Sequence, residues 1–154
     1  MPVINGVKLS EYTLHYLEAM MWSTHVHLPV VEEELVDGCM DVEGGHKLFG
    51  ISEDDHLDDH FEFDDFTSDS LRMAEADCVK FFEWIKKEGL AEEVAQYADD
   101  GHVAHDFWLT RNGHGAGFWD GDYDEELGEK LTEHCDLFVE QYVVAGEDGK
   151  LHLE

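Results

Sequence analysis

Eleven histidines and 38 carboxylates among 154 residues supply ample material for metal or proton chemistry. The most suggestive spacing is His56-Leu-Asp-Asp-His60, where two imidazoles four apart would share one face of a helix, superficially like the HxxEH of one metalloprotease class. Asp stands where that chemistry uses Glu, and the surroundings are acidic instead of apolar and periodic, so solvated charge in a loop is the stronger reading. Asp54, Asp55, Asp58 and Asp59 offer hard oxygen ligands for calcium or magnesium, but an EF-hand's Gly at position six and Glu at twelve are absent. His25-Val-His27 and His102-Val-Ala-His105 are pairs of a kind that occasionally ligates metal, with packing or surface positions as the default. Gly113 to Gly117 lacks the order of a phosphate loop, although Arg111 beside exposed backbone amides could form a small anion site. No Ser or Cys lies in a nucleophile elbow. No catalytic residue, metal ligand or cofactor is therefore assigned. A metal-binding protein or metal-dependent hydrolase using His56, His60 and nearby carboxylates is the alternative reading.

Charge is the stronger signal. The formal net charge is -29, of which -14 falls between Glu32 and Asp69, where Lys47 is the single base, and -10 between His102 and Glu154. Such an imbalance repels nucleic acid and anionic membranes and attracts basic surfaces. Halophilic proteins are also acid-rich, but they spread acids over every exposed face. Duplex DNA carries one charge per ~1.7 Å of axis, so this total equals about 50 Å of duplex, and only concentration on one side would imitate it. The expected partner-binding residues are Glu32, Glu33, Glu34, Glu53, Asp54, Asp55, Asp58, Asp59, Glu62, Asp64, Asp65, Asp122, Asp124, Glu125 and Glu126. Phe61, Phe63 and Phe66, set among these acids, are either exposed anchors for the partner or core.

An acidic tail would be poor in aromatics, whereas four Trp, five Tyr and nine Phe run through this chain, so it should fold. No apolar run reaches the roughly 18 residues of a membrane span, and no signal sequence is recognisable. Cys39, Cys78 and Cys135 are odd in number and far apart, which fits a reducing cytoplasm; Cys78 and Cys135 read as small buried hydrophobes.

The elements that must position these residues follow from periodicity and punctuation. Ser10 caps a helix through Ser23, and Thr67 or Ser68 caps a long helix with the stripe Leu71, Ala74, Cys78, Phe81, Phe82 and Ile85, stopped by Gly89. Leu90 to Tyr97 reads as a short helix ending at Asp99, Asp100 and Gly101. Asp106 to Thr110 and Phe118 to Asp120 read as two strands of an aromatic hairpin, with Arg111, Asn112 and His114 building its turn. Asp122 to Phe138 is helical, and Val139 to Ala145 with Lys150 to Leu153 form a last hairpin. The expected fold is α+β, a small antiparallel sheet of two hairpins packed with three to four helices. It forms one domain over 1–154, with an irregular acidic insertion at about 31–66.

The run Asp106-Phe-Trp-Leu-Thr-Arg-Asn-Gly-His-Gly-Ala-Gly-Phe-Trp-Asp120, followed by Leu127, Leu131-Thr132 and Glu147-Asp148-Gly149-Lys150, resembles a widespread family of small, functionally unassigned bacteriophage proteins. Tyr16-Leu-Glu-Ala-Met-Met-Trp-Ser-Thr24 and Ser70-Leu-Arg-Met-Ala-Glu-Ala-Asp-Cys78 agree in order and separation. Family members often carry Arg where Gly121 stands, and their segment between the first and the long helix is shorter and less charged. The resemblance implies a phage protein acting in the host cytoplasm. Joined to the charge, it leads to the expectation of an acidic nucleic-acid mimic, binding no nucleic acid or membrane itself, that inhibits a host protein with a basic nucleic-acid-binding surface. A phage structural or assembly protein is the third reading.

Overall fold

The computed structural model of the chain describes residues 2–26, 51, 54–113, 117–118, 122–146 and 148–154. The element order is β1 (Val3–Ile4), β2 (Val7–Lys8), α1 (Glu11–Ser23), two 3-10 turns (Leu57–Asp59 and Phe63–Asp65), α2 (Ser68–Lys87), α3 (Ala91–Ala95), α4 (Asp100–Arg111), α5 (Glu125–Cys135), β3 (Val143–Ala145) and β4 (Leu151–Leu153). The fold is α+β, and its strands form two separate antiparallel pairs, β1 with β2 and β3 with β4.

The first hairpin was not expected, although Asn5-Gly6 is its signal. Both residues have positive φ, 49° and 78°, as a two-residue turn matched to strand twist requires. The Asn5 side chain then donates to the carbonyls of Asp64 and Phe66 at 2.9 and 2.8 Å, tying the N-terminus to the acidic segment.

α1 begins after Ser10, but the Ser10 hydroxyl does not cap its own helix. It donates to Glu75 Oε1 on α2 at 2.6 Å, while the Ser10 amide donates to Oε2 at 3.0 Å, so one carboxylate binds two helices together. α2 is capped by Thr67, whose hydroxyl oxygen accepts from the Ser70 amide at 3.1 Å, and buries the stripe Leu71, Ala74, Cys78, Phe81, Phe82 and Ile85.

The aromatic hairpin is corrected. Asp106 to Thr110 belongs to α4, whose first turn is capped by the Asp99 carboxylate accepting from the His102 amide at 2.8 Å, so Asp99-Asp100-Gly101 opens a helix instead of closing one. α4 buries Val103, Ala104, Asp106, Phe107, Trp108, Leu109 and Arg111, which leaves it almost no polar face and hence no amphipathic period to read. It ends at Asn112 and Gly113, the latter at φ 69°. The returning chain is fixed where the Phe118 amide donates to Thr110 Oγ1 at 3.1 Å.

α1 and α4 pack along their lengths, and Phe81 of α2 stacks on Phe107 at 4.3 Å. Trp108, buried against Tyr16, donates its indole N–H to Ser23 Oγ at 2.9 Å. α5 adds Leu127, Leu131 and Cys135 to this core. β4 closes it, with the Thr67 amide donating to the Leu151 carbonyl and the Leu153 amide to Ser70 Oγ. Cys78 and Cys135 are free and buried, and burial pushes both thiols up. Among the described residues no helix is long and apolar enough to cross a membrane.

Candidate functional site

The acidic segment is built from two similar turns. The His56 amide donates to Asp59 Oδ2 at 2.9 Å, and the Glu62 amide donates to Asp65 Oδ2 at 2.7 Å. In each Asp-Asp pair the second carboxylate folds back on the backbone, while the first, Asp58 or Asp64, is exposed. Leu57, Phe61 and Phe66 are buried beneath these turns, so Phe61 and Phe66 are core and not partner anchors; Phe63 is half-buried. Backbone bonds from Val26 N to Asp55 O and from Leu57 N to Thr24 O hold the segment to the end of α1.

His56 and His60 do not converge as a helical pair, because they flank a single 3-10 turn. His56 lies 4.4 Å from the His25 ring, centroid to centroid, and His60 Nε2 meets Asp55 Oδ2 at 2.7 Å. His27, Glu32, Glu33, Glu34, Glu53, His114 and Asp120 lie outside the described residues.

The side chains that do converge lie on two sides of α4, one group in its seam with α1 and one facing the residues just before α5. At one end, Glu18 of α1 has Oε2 3.9 Å from His15 Nδ1 and Oε1 3.7 Å from His105 Nε2. Gly101 makes room for His15: a Cβ there would sit 2.8 Å from the imidazole. Burial lowers the His105 pKa below the ordinary histidine value. Further along, His102 Nε2 lies 3.2 Å from Asp106 Oδ2 and 3.3 Å from Asp122 Oδ2. Asp106 is buried, and its Oδ2 accepts from the Tyr123 hydroxyl at 2.8 Å. Among the described residues these are the two sets of three or more His, Cys, Asp or Glu side chains close enough to share an ion. Their signal in the sequence is the i,i+3 spacing of His15 and Glu18 on α1 and the i,i+4 spacing of His102 and Asp106, the latter legible only once 100–111 is known to be helical.

Contacts run from the acidic segment to this seam. Glu18 borders a hollow of about 400 Å³ with Trp22, Asp58, Glu62 and Phe63. At the other end Asp122 leads into Asp124, Glu125 and Glu126, all exposed in front of or within the first turn of α5. Asp54 is exposed and Asp55 half-buried. Of the expected partner-binding acids that are described, Asp58 and Glu62 thus border the hollow beside Glu18, and Asp122 stands beside His102.

Arg111 is not an anion site and builds no hairpin turn. Its guanidinium is buried, donating to Asp77 Oδ2 at 2.8 Å, the Tyr16 hydroxyl at 3.0 Å and the Val139 carbonyl at 2.7 and 3.1 Å, between the rings of Phe107 and Phe138. Burial opposes its charge, but Tyr16 and Asp77 outweigh that and raise its pKa. Asn112 donates to the Trp108 carbonyl and accepts from the Gln141 amide, so the described part of the long aromatic motif serves the end of α4. No family model, curated protein or solved structure matches the chain.

Proposed function

We propose that this chain is a phage-type binding protein whose acidic side occupies the nucleic-acid site of a basic host protein, in the host cytoplasm, and excludes DNA or RNA from it. The observation that carries the reading is local composition: Asp54 to Asp65 holds seven carboxylates and no Lys or Arg, and α1 beside it adds Glu11 and Glu18, again with no Lys or Arg. Carboxylates that fold the segment need not face outward, yet Asp58, Glu62 and Asp64 do. Uncompensated exposed acids speed encounter with a basic surface. Trp22, exposed beside half-buried Phe63 at the rim of the hollow, supplies the apolar anchor that charge alone lacks.

The test immobilises the chain, captures its partner from bacterial lysate and challenges the complex with duplex DNA, RNA and salt. Reversal of Asp58, Glu62 and Asp64 to Lys avoids the two backbone-capping aspartates. The triple variant should fold like the parent and lose at least roughly tenfold in association rate at low salt, with the difference shrinking as salt rises. Nucleic acid should displace the partner competitively. Binding indifferent to reversal, salt and nucleic acid alike would return these acids to a solvation role.

A further inference from the structure

We infer that His102, Asp106 and Asp122 form a binding site for a first-row transition-metal dication, with Zn²⁺ as the reference ion. The inference does not depend on the mimic reading. α4 sets His102 and Asp106 four residues apart, on one face, and Asp122 reaches the same point from just before α5. Nε2 stands 3.2 and 3.3 Å from the two carboxylate oxygens. Donors bound at about 2.0–2.1 Å around a tetrahedral ion lie about 3.3–3.4 Å from one another, so the imidazole nitrogen is already spaced from both oxygens as a co-ligand, and all three atoms lie within 4.8 Å of one another. A single imidazole N–H points along only one line and cannot serve both oxygens well.

The support around the donors fits as well. Asp106 is 4% exposed, and the Tyr123 hydroxyl fixes its carboxylate, the role that outer partners play at metal centres. One imidazole nitrogen with two carboxylate oxygens suits zinc or its neighbours better than magnesium or calcium, which prefer all-oxygen shells. Three protein donors leave a coordination position for water. The His15, Glu18 and His105 group is looser, at 3.7 and 3.9 Å, with His15 and Glu18 half-exposed, and it serves as the internal control.

The experiment uses the full chain, freed of any affinity tag and stripped with chelator, titrated with Co²⁺ and followed by the visible bands of cobalt in a low-symmetry site; Zn²⁺ is then added to displace it. His102 and Asp122 are both about half-exposed, at 46% and 55%, so His102→Ala and Asp122→Ala should keep the fold, which circular dichroism checks. The expected result is one Co²⁺ per chain displaced by Zn²⁺, an affinity lowered at least roughly tenfold in each of those variants, and no change in His15→Ala. The absence of cobalt bands at millimolar Co²⁺, an affinity unchanged in His102→Ala and Asp122→Ala, or a loss confined to His15→Ala would each overturn the site.

Discussion

α2 and the acidic segment before it are neighbours in the chain and opposites in charge. α2 carries four acids and four Lys or Arg, and Asp69 pairs with Arg72 at 3.0 Å within it; Asp54 to Asp65 carries seven acids and no Lys or Arg. The helix folds by its apolar stripe and leaves a balanced surface. The segment has no such stripe. It is held by Asn5, by two aspartates turned onto their own backbone and by Leu57, Phe61 and Phe66 beneath. Order in the segment thus comes in good part from apolar burial and backbone hydrogen bonds, while Asp58, Glu62 and Asp64 stay exposed.

The largest effects should come from the core on which α2 rests. Arg111→Ala would leave Asp77, the Tyr16 hydroxyl and the Val139 carbonyl without their donor, and breaking such a buried pair costs about 3–5 kcal/mol. Trp108→Ala and Phe81→Ala should each cost about 3–5 kcal/mol by loss of packing. Urea unfolding measures all three. An Arg111→Ala chain as stable as its parent would mean that the buried guanidinium is incidental.

A smaller effect tests the division of labour inside the segment. Asp59→Ala and Asp65→Ala each remove an acceptor from a backbone amide and should cost about 1 kcal/mol, as loss of a cap does. Asp58→Ala and Asp64→Ala, at exposed positions, should stay within about 0.5 kcal/mol of the parent. Equal costs at the two positions of each pair would erase the distinction between folding acids and outward acids.

The same contrast explains what was legible in the sequence. α1, α2, α5 and the last hairpin announce themselves, because each has one apolar face or a glycine turn between short apolar runs. α5 is shorter than expected, Glu125–Cys135 instead of Asp122 to Phe138. α4 did not announce itself. A helix buried on nearly every side has no polar stripe, and Gly101 and Gly113 at its two ends imitate turn punctuation. Losing α4 also hid the seam, since His102, His105 and Asp106 gain common faces only on a helix. The outward acids were legible as composition, but the roles of Asp59 and Asp65 depend on a backbone conformation that no periodicity encodes.

The smallest effect is a pH dependence on the balanced side. His134 of α5 stacks on Trp84 of α2 at 3.7 Å and 6°, and burial lowers its pKa even though Glu88 pulls the other way. An unfolded chain takes up this proton near the ordinary value of about 6.5, whereas the folded chain resists until lower pH. The unfolded state then binds more protons, so this histidine's contribution to stability is present above that value and is lost as pH falls toward the folded pKa. Burial also lowers the pKa of His105, which acts in the same direction, so a single melting curve does not isolate His134. His134→Phe keeps the stacked ring and removes the proton. Between about pH 7.5 and 5.5 the parent should lose stability relative to this variant. Parallel curves across that window would show that the stacked imidazole is no harder to protonate in the fold than outside it.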